Sequence, residues 1–363
     1  MNLETINFVN FRNLKDGTIN FSPFFNLFFG KNGQGKTSAL EAIYFNCTGK
    51  SFRSNRSQEL IKYGRDRCGT FVNYSDRLSR KSLTVKFSDK KKEYSFNGNR
   101  VTHQEFYGRL SVVAFTPEDI DIITGTPGRR RSFFDEEISQ SSGEYYGALR
   151  DFNKILKIRN QYLKEGKTGD ALYSVYEEQF VGLGAKVIFM RAEYVKRISI
   201  ILNLNYRKLF DSSKELGVTY SSDLELEKRE TLETIEKKMK IRIEKKFSQE
   251  RRYGHSLIGP QRDEFKFLLD GKEAKSFASQ GEKKSIVFSF KLSELDMIFK
   301  EKGENPIFLI DDITSYFDQN RRESVLNHLQ RKRIQLFISS TDKIEGIESK
   351  NFHVTDGEII CGD

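Results

Sequence analysis

One stretch of the sequence decides the fold of this chain, Gly30-Lys31-Asn32-Gly33-Gln34-Gly35-Lys36-Thr37. It fits the phosphate-loop pattern G-x-x-x-x-G-K-[ST] in full. The apolar segment Phe25–Phe29 precedes it as a predicted strand, and a helix is predicted from about Lys36 to Cys47. Glycines in such a loop let backbone N–H groups turn inward around a β-phosphate at the positive end of the helix. The stretch therefore predicts an ATP site, in which Lys36 reaches the β- and γ-phosphates and the Thr37 hydroxyl ligates Mg²⁺.

Two carboxylates, Asp311 and Asp312, follow the predicted strand Pro306–Ile310. A buried strand delivers such acids to the carboxyl edge of a sheet, where ligands bind in open α/β folds. We predict that Asp311 holds Mg²⁺ through a water molecule bound to the metal. Asp312, with Lys36 the predicted catalytic pair, is placed to polarise the attacking water. When the two acids are considered without the phosphate loop, the alternative is that they form an ordinary acidic turn after a strand.

A third motif, Ala278-Ser279-Gln280-Gly281-Glu282, precedes a helix predicted to run to about Lys300 and resembles the signature of ABC-type ATPases. A serine hydroxyl, a glycine backbone and a helix N-terminus form a second phosphate clamp. The order of phosphate loop, signature, acidic strand and Asp318 is the mark of the ABC superclass. The resemblance implies that Ser279, Gly281, Glu282 and Asp318 contact nucleotide, and that two chains form an ATP-dependent homodimer around two ATP molecules.

The chain alternates between two kinds of sequence. Strand and helix signals mix over residues 1–120 and return over 253–363, whereas residues 121–252 combine helical periodicity with dense charge. The amphipathic helices are predicted at Tyr145–Leu163, Tyr173–Phe210 and Leu224–Phe247, with a break near Ser212–Asp223. A coiled-coil arm is the alternative, but the heptads are not sustained. The predicted fold class is α/β: an ABC-type ATPase head, a P-loop NTPase fold assembled from both chain ends, with an inserted helical lobe.

Composition narrows the class of protein. No apolar run of the 363 residues approaches the roughly 18–20 needed to span a bilayer, and no secretion signal is evident. The 3 cysteines lie far apart, which argues against disulfides and zinc. We therefore expect a cytoplasmic protein with no membrane partner. The net charge of +10 favours binding to polyanions such as DNA. The alternative is that the charge reflects only a Lys-rich surface with no nucleic-acid partner.

Further stretches resemble the RecF family in particular. In chain order they are Asn10-Phe11-Arg12-Asn13-Leu14, Thr48-Gly49-Lys50-Ser51-Phe52-Arg53, residues 115–120, residues 125–131, Gly259-Pro260-Gln261-Arg262-Asp263, and residues 335–342. These blocks occur in order and are spread over essentially the whole chain. The resemblance implies that Arg12 and Asn13 lie near bound nucleotide, and that a weak, DNA-stimulated ATPase with ATP and Mg²⁺ dimerises and acts as a timed clamp. It also implies binding to single-stranded and duplex DNA at gap junctions. The implied partners are RecR, with RecO and RecA downstream, in DNA replication, repair and the SOS response.

Basic residues in or just after two of these blocks are candidates for contacts with DNA phosphates. They are Lys50, Arg53, Arg56, Arg129, Arg130 and Arg131. The alternative for each is a solvated surface position or an internal ion pair.

The sequence departs from related patterns at three positions. Asp312 replaces the glutamate of transporters, although the RecF family itself favours two aspartates; because the shorter side chain holds water less well, we predict slow hydrolysis. Gln261 replaces a histidine, which leaves the role of its block open. Thr341 is the nearest residue to the position where a switch histidine is expected.

Two other classes compete with this interpretation. A transporter ATP-binding subunit has a short interval between phosphate loop and signature, whereas 242 positions separate Thr37 from Ser279 here. The second alternative is a non-enzymatic scaffold in which ATP only fixes the geometry of a dimer, and the sequence does not exclude it. Between SMC-like and RecF-like heads, the modest helical lobe favours the RecF-like head.

Overall fold

The computed structural model describes residues 1–227, 229–344, 346 and 348–362. Packing divides the chain into two compact units, Met1–Asp119 with Phe288–Asp363, and Ile120–Val287. The sequence analysis assigned residues 253–287 to the ATPase head, whereas packing groups them with the second unit. The assignment of residues to functional domains stays a prediction.

The described part of the chain contains the following elements. The strands are β1 (Asn2–Val9), β2 (Gly17–Asn20), β3 (Phe25–Phe29), β4 (Arg67–Ser75), β5 (Arg80–Ser88), β6 (Lys91–Phe96), β7 (Asn99–Val101), β8 (Val112–Phe115), β9 (Leu216–Ser221), β10 (Glu264–Leu269), β11 (Lys272–Glu273), β12 (Ile307–Ile310), β13 (Leu336–Ser340), β14 (Lys350–Thr355) and β15 (Glu358–Gly362). The helices are α1 (Lys36–Thr48), α2 (His103–Phe106), α3 (Asp121–Thr124), α4 (Pro127–Ser141), α5 (Gly143–Glu165), α6 (Ala171–Leu209), α7 (Leu232–Tyr253), α8 (Ala274–Phe277), α9 (Gln280–Lys302), α10 (Ile313–Tyr316) and α11 (Gln319–Arg331). The α/β class is confirmed.

A largely parallel sheet carries the functional strands of the first unit. Its strands run in the order β15-β14-β3-β13-β12-β8, and only the β14–β15 pair is antiparallel. Every residue of β8 and β12 is buried, as expected of parallel strands covered on both faces. The carboxyl ends of β3, β13 and β12 therefore lie side by side at one edge.

An antiparallel sheet forms the other layer of the first unit, in the order β2-β1-β4-β5-β6-β7. Its strands alternate between the core and the opposite face; in β4, Cys68, Thr70, Val72 and Tyr74 are buried. The buried side chain of Gln335 ties the two sheets together. Its Oε1 accepts from the backbone N–H of Leu3 at 2.7 Å, and its Nε2 donates to the carbonyl of Leu3 at 2.8 Å.

The second unit combines long helices with a sheet in the order β11-β10-β9. The ring of Phe134 on α4 stacks on Phe265 of β10 with centroids 4.0 Å apart. The core also contains the guanidinium of Arg191, which pairs with Asp135 at 2.7 Å and donates to the carbonyl of Pro260 at 2.6 Å. Burial raises the pKa of the neighbouring Asp263 to about 6. The block 259–263 thus belongs to a buried polar network of this unit.

The structure corrects the sequence analysis at the end of the helical region. The helix predicted at Leu224–Phe247 begins later, at Leu232, because the Thr231 side chain caps its first turn by accepting from the Thr234 N–H. The predicted break near Ser212–Asp223 contains the strand β9, which pairs with β10 from a distant part of the sequence. Propensity over so short a segment is too weak to predict such a strand.

Across the described residues, no helix combines the length and the apolar character that crossing a bilayer requires.

Close helix packing in the second unit depends on Gly184 of α6. A Cβ there would lie 2.7 Å from the Met239 methyl and 3.2 Å from the Phe152 ring. We expect Gly184→Leu to lower the free energy of unfolding by about 1–3 kcal/mol through overpacking. Gly182→Leu is the matched control, since its Cβ would meet only one side-chain atom, 3.9 Å away. Thermal melting of both variants tests this, and equal melting temperatures would contradict it.

Candidate functional site

The phosphate loop joins β3 to α1 in the predicted strand–loop–helix arrangement. Gly30, Gly33 and Gly35 all have positive φ, at 146°, 81° and 116°. A Cβ on Gly30 would lie 2.4 Å from the carbonyl oxygen of Val354 on β14. Only glycine therefore fits position 30 without displacing the neighbouring strand.

The ammonium of Lys36 is held inside this loop. Its Nζ donates to the carbonyls of Gly30 at 2.5 Å and Lys31 at 2.9 Å. Burial lowers the pKa of Lys36, while the nearby charges of Asp312 and Asp311 oppose that shift. The loop therefore presents a desolvated cation next to the amino end of α1, where an anionic group is favoured.

The acidic strand end meets the loop directly. The hydroxyl of Thr37 donates to Oδ1 of Asp311 at 2.9 Å, and the hydroxyl of Ser339 donates to the same oxygen at 2.6 Å. Burial raises the pKa of Asp311. A carboxylate and a hydroxyl in contact are the hard oxygen ligands that Mg²⁺ prefers. The donor set at Thr37 and Asp311 thus fits the predicted metal site.

Asp312 follows in a strained backbone conformation. Its φ of 52° lies in the left-handed region, and its N–H donates to the Ser339 hydroxyl at 2.8 Å. Its Oδ1 accepts from the Thr314 hydroxyl at 3.2 Å. For a residue other than glycine, this backbone costs on the order of 1 kcal/mol or more. Ser339 therefore positions both acids: its hydroxyl donates to the Asp311 side chain and accepts from the Asp312 N–H.

Arg12 and Asn13 flank the loop from the segment after β1. The Asn13 Oδ1 accepts from the Ser38 hydroxyl at 2.8 Å. Arg12 forms a bidentate pair with the fully buried Glu41 of α1, with N···O distances of 2.9 and 2.7 Å. Ser51 also donates to Glu41, and Arg53 lies 3.7 Å from it. One buried carboxylate thus anchors two arginines beside the site.

These groups line a cavity of about 790 Å³. Its predicted members are Arg12, Asn13, Asn32, Gly33, Gly35, Lys36, Thr37, Arg53, Asp311 and Asp312. It also contains residues that the sequence analysis missed, Ser38, Glu59, Ile61, Lys62, Tyr63 and Ser339. The Tyr63 ring is fully exposed, at 103% of its reference area, and Ile61 pairs with Phe11 in an isolated bridge. The cavity therefore joins a cationic end, formed at the phosphate loop, to an aromatic rim at Tyr63.

Other predicted residues of the first unit lie outside the cavity lining. Gln34 accepts from the Asp356 N–H at 2.6 Å through its side chain, so it braces the loop against the β14–β15 turn. Asp318 caps α11 by accepting from the Arg321 N–H. Lys31 contributes its carbonyl to Lys36. The predicted nucleotide contacts of Gln34, Lys31 and Asp318 stay predictions.

The signature lies in the second unit, at the start of α9. Ser279 and Glu282 cap this helix reciprocally: the Ser279 N–H donates to Glu282 at 2.7 Å, and the Glu282 N–H donates to Ser279 Oγ at 3.3 Å. An ion pair with Lys214 lowers the pKa of Glu282 to about 2. Ser279 and Gly281 are thus presented on a fixed helix start, and the roles of all three stay predictions.

The basic candidates differ in their surroundings. Arg130 is buried and pairs with Glu264 at 2.8 Å, and Arg131 donates to the Asp263 carbonyl at 2.8 Å. Arg129 pairs with Asp121. Of the two ion pairs, only that of Arg130 is internal, and Arg131 contacts a backbone carbonyl rather than an acid. The predicted contacts of all three arginines with DNA stay predictions. Lys50 and Arg56 are exposed.

Comparisons with known proteins show which sequences this chain is similar to. A sequence profile described as the RecF/RecN/SMC N terminal domain matches residues 2–354. The DNA replication and repair protein RecF of Alkaliphilus oremlandii is 34% identical over 99% of this chain and 100% of its own. The RecF protein of Halothermothrix orenii is 35% identical over 94% of this chain and 92% of its own.

Solved structures give the same result. The structure of the recombination mediator protein RecF-ATP in the RecFOR pathway superposes with a TM-score of 0.93, at 31% identity, covering 100% of this chain and 98% of that one. An SMC head bound to the winged-helix domain of ScpA has a TM-score of 0.57 at 16% identity, covering 99% and 97%. The second likeness concerns the fold alone.

The buried carboxylate of Glu41 gives a test of the site's construction. Glu41→Gln keeps the shape but leaves the Arg12 guanidinium without its buried counter-charge, so we expect a loss of stability of about 3–5 kcal/mol. Glu59→Gln is the matched control, because that side chain is 45% exposed and lies 3.9 Å from Arg12; we expect less than about 1 kcal/mol. Urea unfolding measures both, and a Glu41 variant as stable as the control would contradict the assignment.

Proposed function

The chain belongs to the RecF family of ABC/SMC-class ATPases, and from this premise we propose that it binds Mg-ATP, dimerises and clamps DNA during replication and repair. The observation that carries the proposal is the convergence of Lys36, Thr37 and Asp311 at one edge of the parallel sheet. Its relatives are named as DNA replication and repair proteins, and a solved relative is named with ATP.

The chemistry follows from the residues at the cavity. Lys36 and the loop N–H groups bind the β- and γ-phosphates, and Thr37 with Asp311 holds the metal. When bound there, Mg²⁺ would neutralise charge that develops on the phosphates. Asp312 accepts a proton from the attacking water, and its short side chain makes hydrolysis slow. Slow turnover suits a timed clamp better than a pump.

The partners that we propose for this clamp are those that family membership suggests. We propose that Ser279 and Gly281 of one chain meet the ATP of a second chain, so that ATP controls dimerisation. The clamp binds DNA at single-strand gaps and duplex junctions and acts with RecR, RecO and RecA, in a role that extends to the SOS response. The net charge of +10 supports affinity for DNA. Lys50, Arg53 and Arg56 are the proposed phosphate contacts from the segment after α1.

Replacement of Asp312 tests the role of ATP hydrolysis. We expect Asp312→Asn to bind ATP normally but to hydrolyse it on the order of 100-fold more slowly or worse, because a general base is lost. Its DNA complexes should outlast those of the unchanged protein. Lys36→Ala is the control that loses both ATP binding and ATP-dependent dimers. Phosphate release, mass and dissociation from gapped DNA are measured.

The outcome separates the two candidate classes. Unchanged turnover in Asp312→Asn would remove Asp312 from the chemistry. Full function of that variant in cells, despite abolished turnover, would favour the scaffold in which ATP only fixes dimer geometry. ATP-driven dimers that ignore DNA at modest salt would overturn the DNA clamp.

The aromatic rim of the cavity gives a second test. We propose that the exposed Tyr63 ring stacks on the adenine base, an interaction of about 1–3 kcal/mol. Tyr63→Ala should weaken ATP binding by that amount, whereas Tyr63→Phe should not. Binding of inorganic triphosphate, which has no base, should be the same for all three proteins. Calorimetric titration measures these affinities, and equal losses for ATP and triphosphate would contradict stacking.

A further inference from the structure

The face of the antiparallel sheet that points away from the core of the first unit has an unusual composition. Cross-strand pairing places Asn7 beside Phe71, Phe71 beside Thr84, and Thr84 beside Ser95 in one row. These positions are half-buried, except that Phe71 is exposed at 37%. The row therefore presents hydroxyl and amide groups around one accessible aromatic ring.

Cations gather at one end of this face. Lys86 lies opposite Gly69, and Ser88 lies opposite both Arg67 and Lys91. Within the described residues, the side chains of Arg67, Lys86 and Lys91 form no ion pair within 4.0 Å. Neither β4 nor β5 contains an aspartate or a glutamate. On β6, Glu93 lies opposite Lys86 but pairs with Arg100 at 3.1 Å.

An exposed face of an antiparallel sheet is normally polar, and lysine alone would not mark a binding surface. Here, however, the neighbouring strands β4 and β5 lack carboxylates. Their unpaired cations lie beside short hydroxyl-bearing side chains, which lose little conformational entropy when they form a hydrogen bond. Contacts to a nucleic-acid backbone come from Lys, Arg, Ser, Thr and Asn side chains. An accessible aromatic ring adds a stacking surface for an unpaired base.

We propose that this face, defined by the outward residues of β1, β4, β5 and β6, is the surface on which the sugar-phosphate backbone of DNA lies. Arg67, Lys86 and Lys91 contact phosphates, and Thr84 donates to phosphate or sugar oxygens. The inference rests on the proposed DNA clamp and assigns its contact surface. The sheet face acts together with the basic residues proposed after α1, and it does not recognise a particular base sequence.

The test compares two pairs of substitutions that remove equal charge. Lys86→Gln with Lys91→Gln alters the sheet face, and Lys237→Gln with Lys240→Gln alters exposed positions of α7. Binding of a labelled duplex with a single-stranded extension is titrated against salt in Mg-ATP. The sheet pair should lower the slope of log affinity against log salt by roughly 1.8, or about 0.9 for each DNA phosphate that the protein no longer neutralises. The α7 pair should leave the slope unchanged.

A central substitution gives a second readout. Thr84→Glu places a negative charge in the middle of the face and should weaken DNA binding at least several-fold, whereas Thr84→Val should not. ATP affinity, measured on every variant, reports that the first unit is folded, because the ATP site lies in the same unit.

Each outcome decides between the two proposals. Equal slopes for the two pairs, or no effect of Thr84→Glu in a protein that still binds DNA with ATP, would overturn this surface and leave the clamp standing. A parent protein that binds no DNA in any nucleotide state would overturn the proposed function and this surface with it.

Discussion

The hydrogen bonds at the Asp311 carboxylate constrain the whole first unit. One oxygen accepts from Thr37 at the start of α1 and from Ser339 on β13. These three residues follow or lie within different strands, so the bonds form only when β13 is inserted between β3 and β12 in parallel register. The phosphate loop, the acid and the residue that orients it are thereby brought to one sheet edge. Because the carboxylate is buried, leaving it without these donors would be costly.

The loop's shape likewise depends on the far end of the chain. Gly30 packs against the Val354 carbonyl, and the N–H of Gly357 donates to the Gln34 carbonyl at 3.0 Å. A Cβ on Gly357 would lie 2.0 Å from the carbonyl oxygen of Asn13. The β14–β15 hairpin is thus a support on which the nucleotide loop rests. A site assembled from both chain ends therefore needs the complete unit for its geometry.

Each unit also contains a buried charged centre that organises the family-like blocks. Glu41 holds Arg12 and Arg53 in the first unit, and Arg191 holds Asp135 and the block 259–263 in the second. Such pairs contribute little net stability over apolar packing, because desolvation opposes their attraction. Losing one partner is costly, however, so these networks fix geometry more than they add stability. Arg12 and the block 259–263, which lie in the stretches that resemble the family, are held in place by these networks.

The sequence by itself determined the phosphate loop, the acidic strand end and most of the strands and helices around them. Local rules suffice there: glycine spacing, a run of apolar residues before two acids, and 3.6-residue periodicity. Only the tertiary structure decided that β9 pairs with β10, that Ser339 orients both acids, that Glu41 anchors Arg12, and that Tyr63 lies at the cavity rim. Each of these depends on residues far apart in sequence, whose pairing leaves no local pattern in the chain. Motif spacing therefore predicts which residues can bind a nucleotide, and packing decides which neighbours hold them in place.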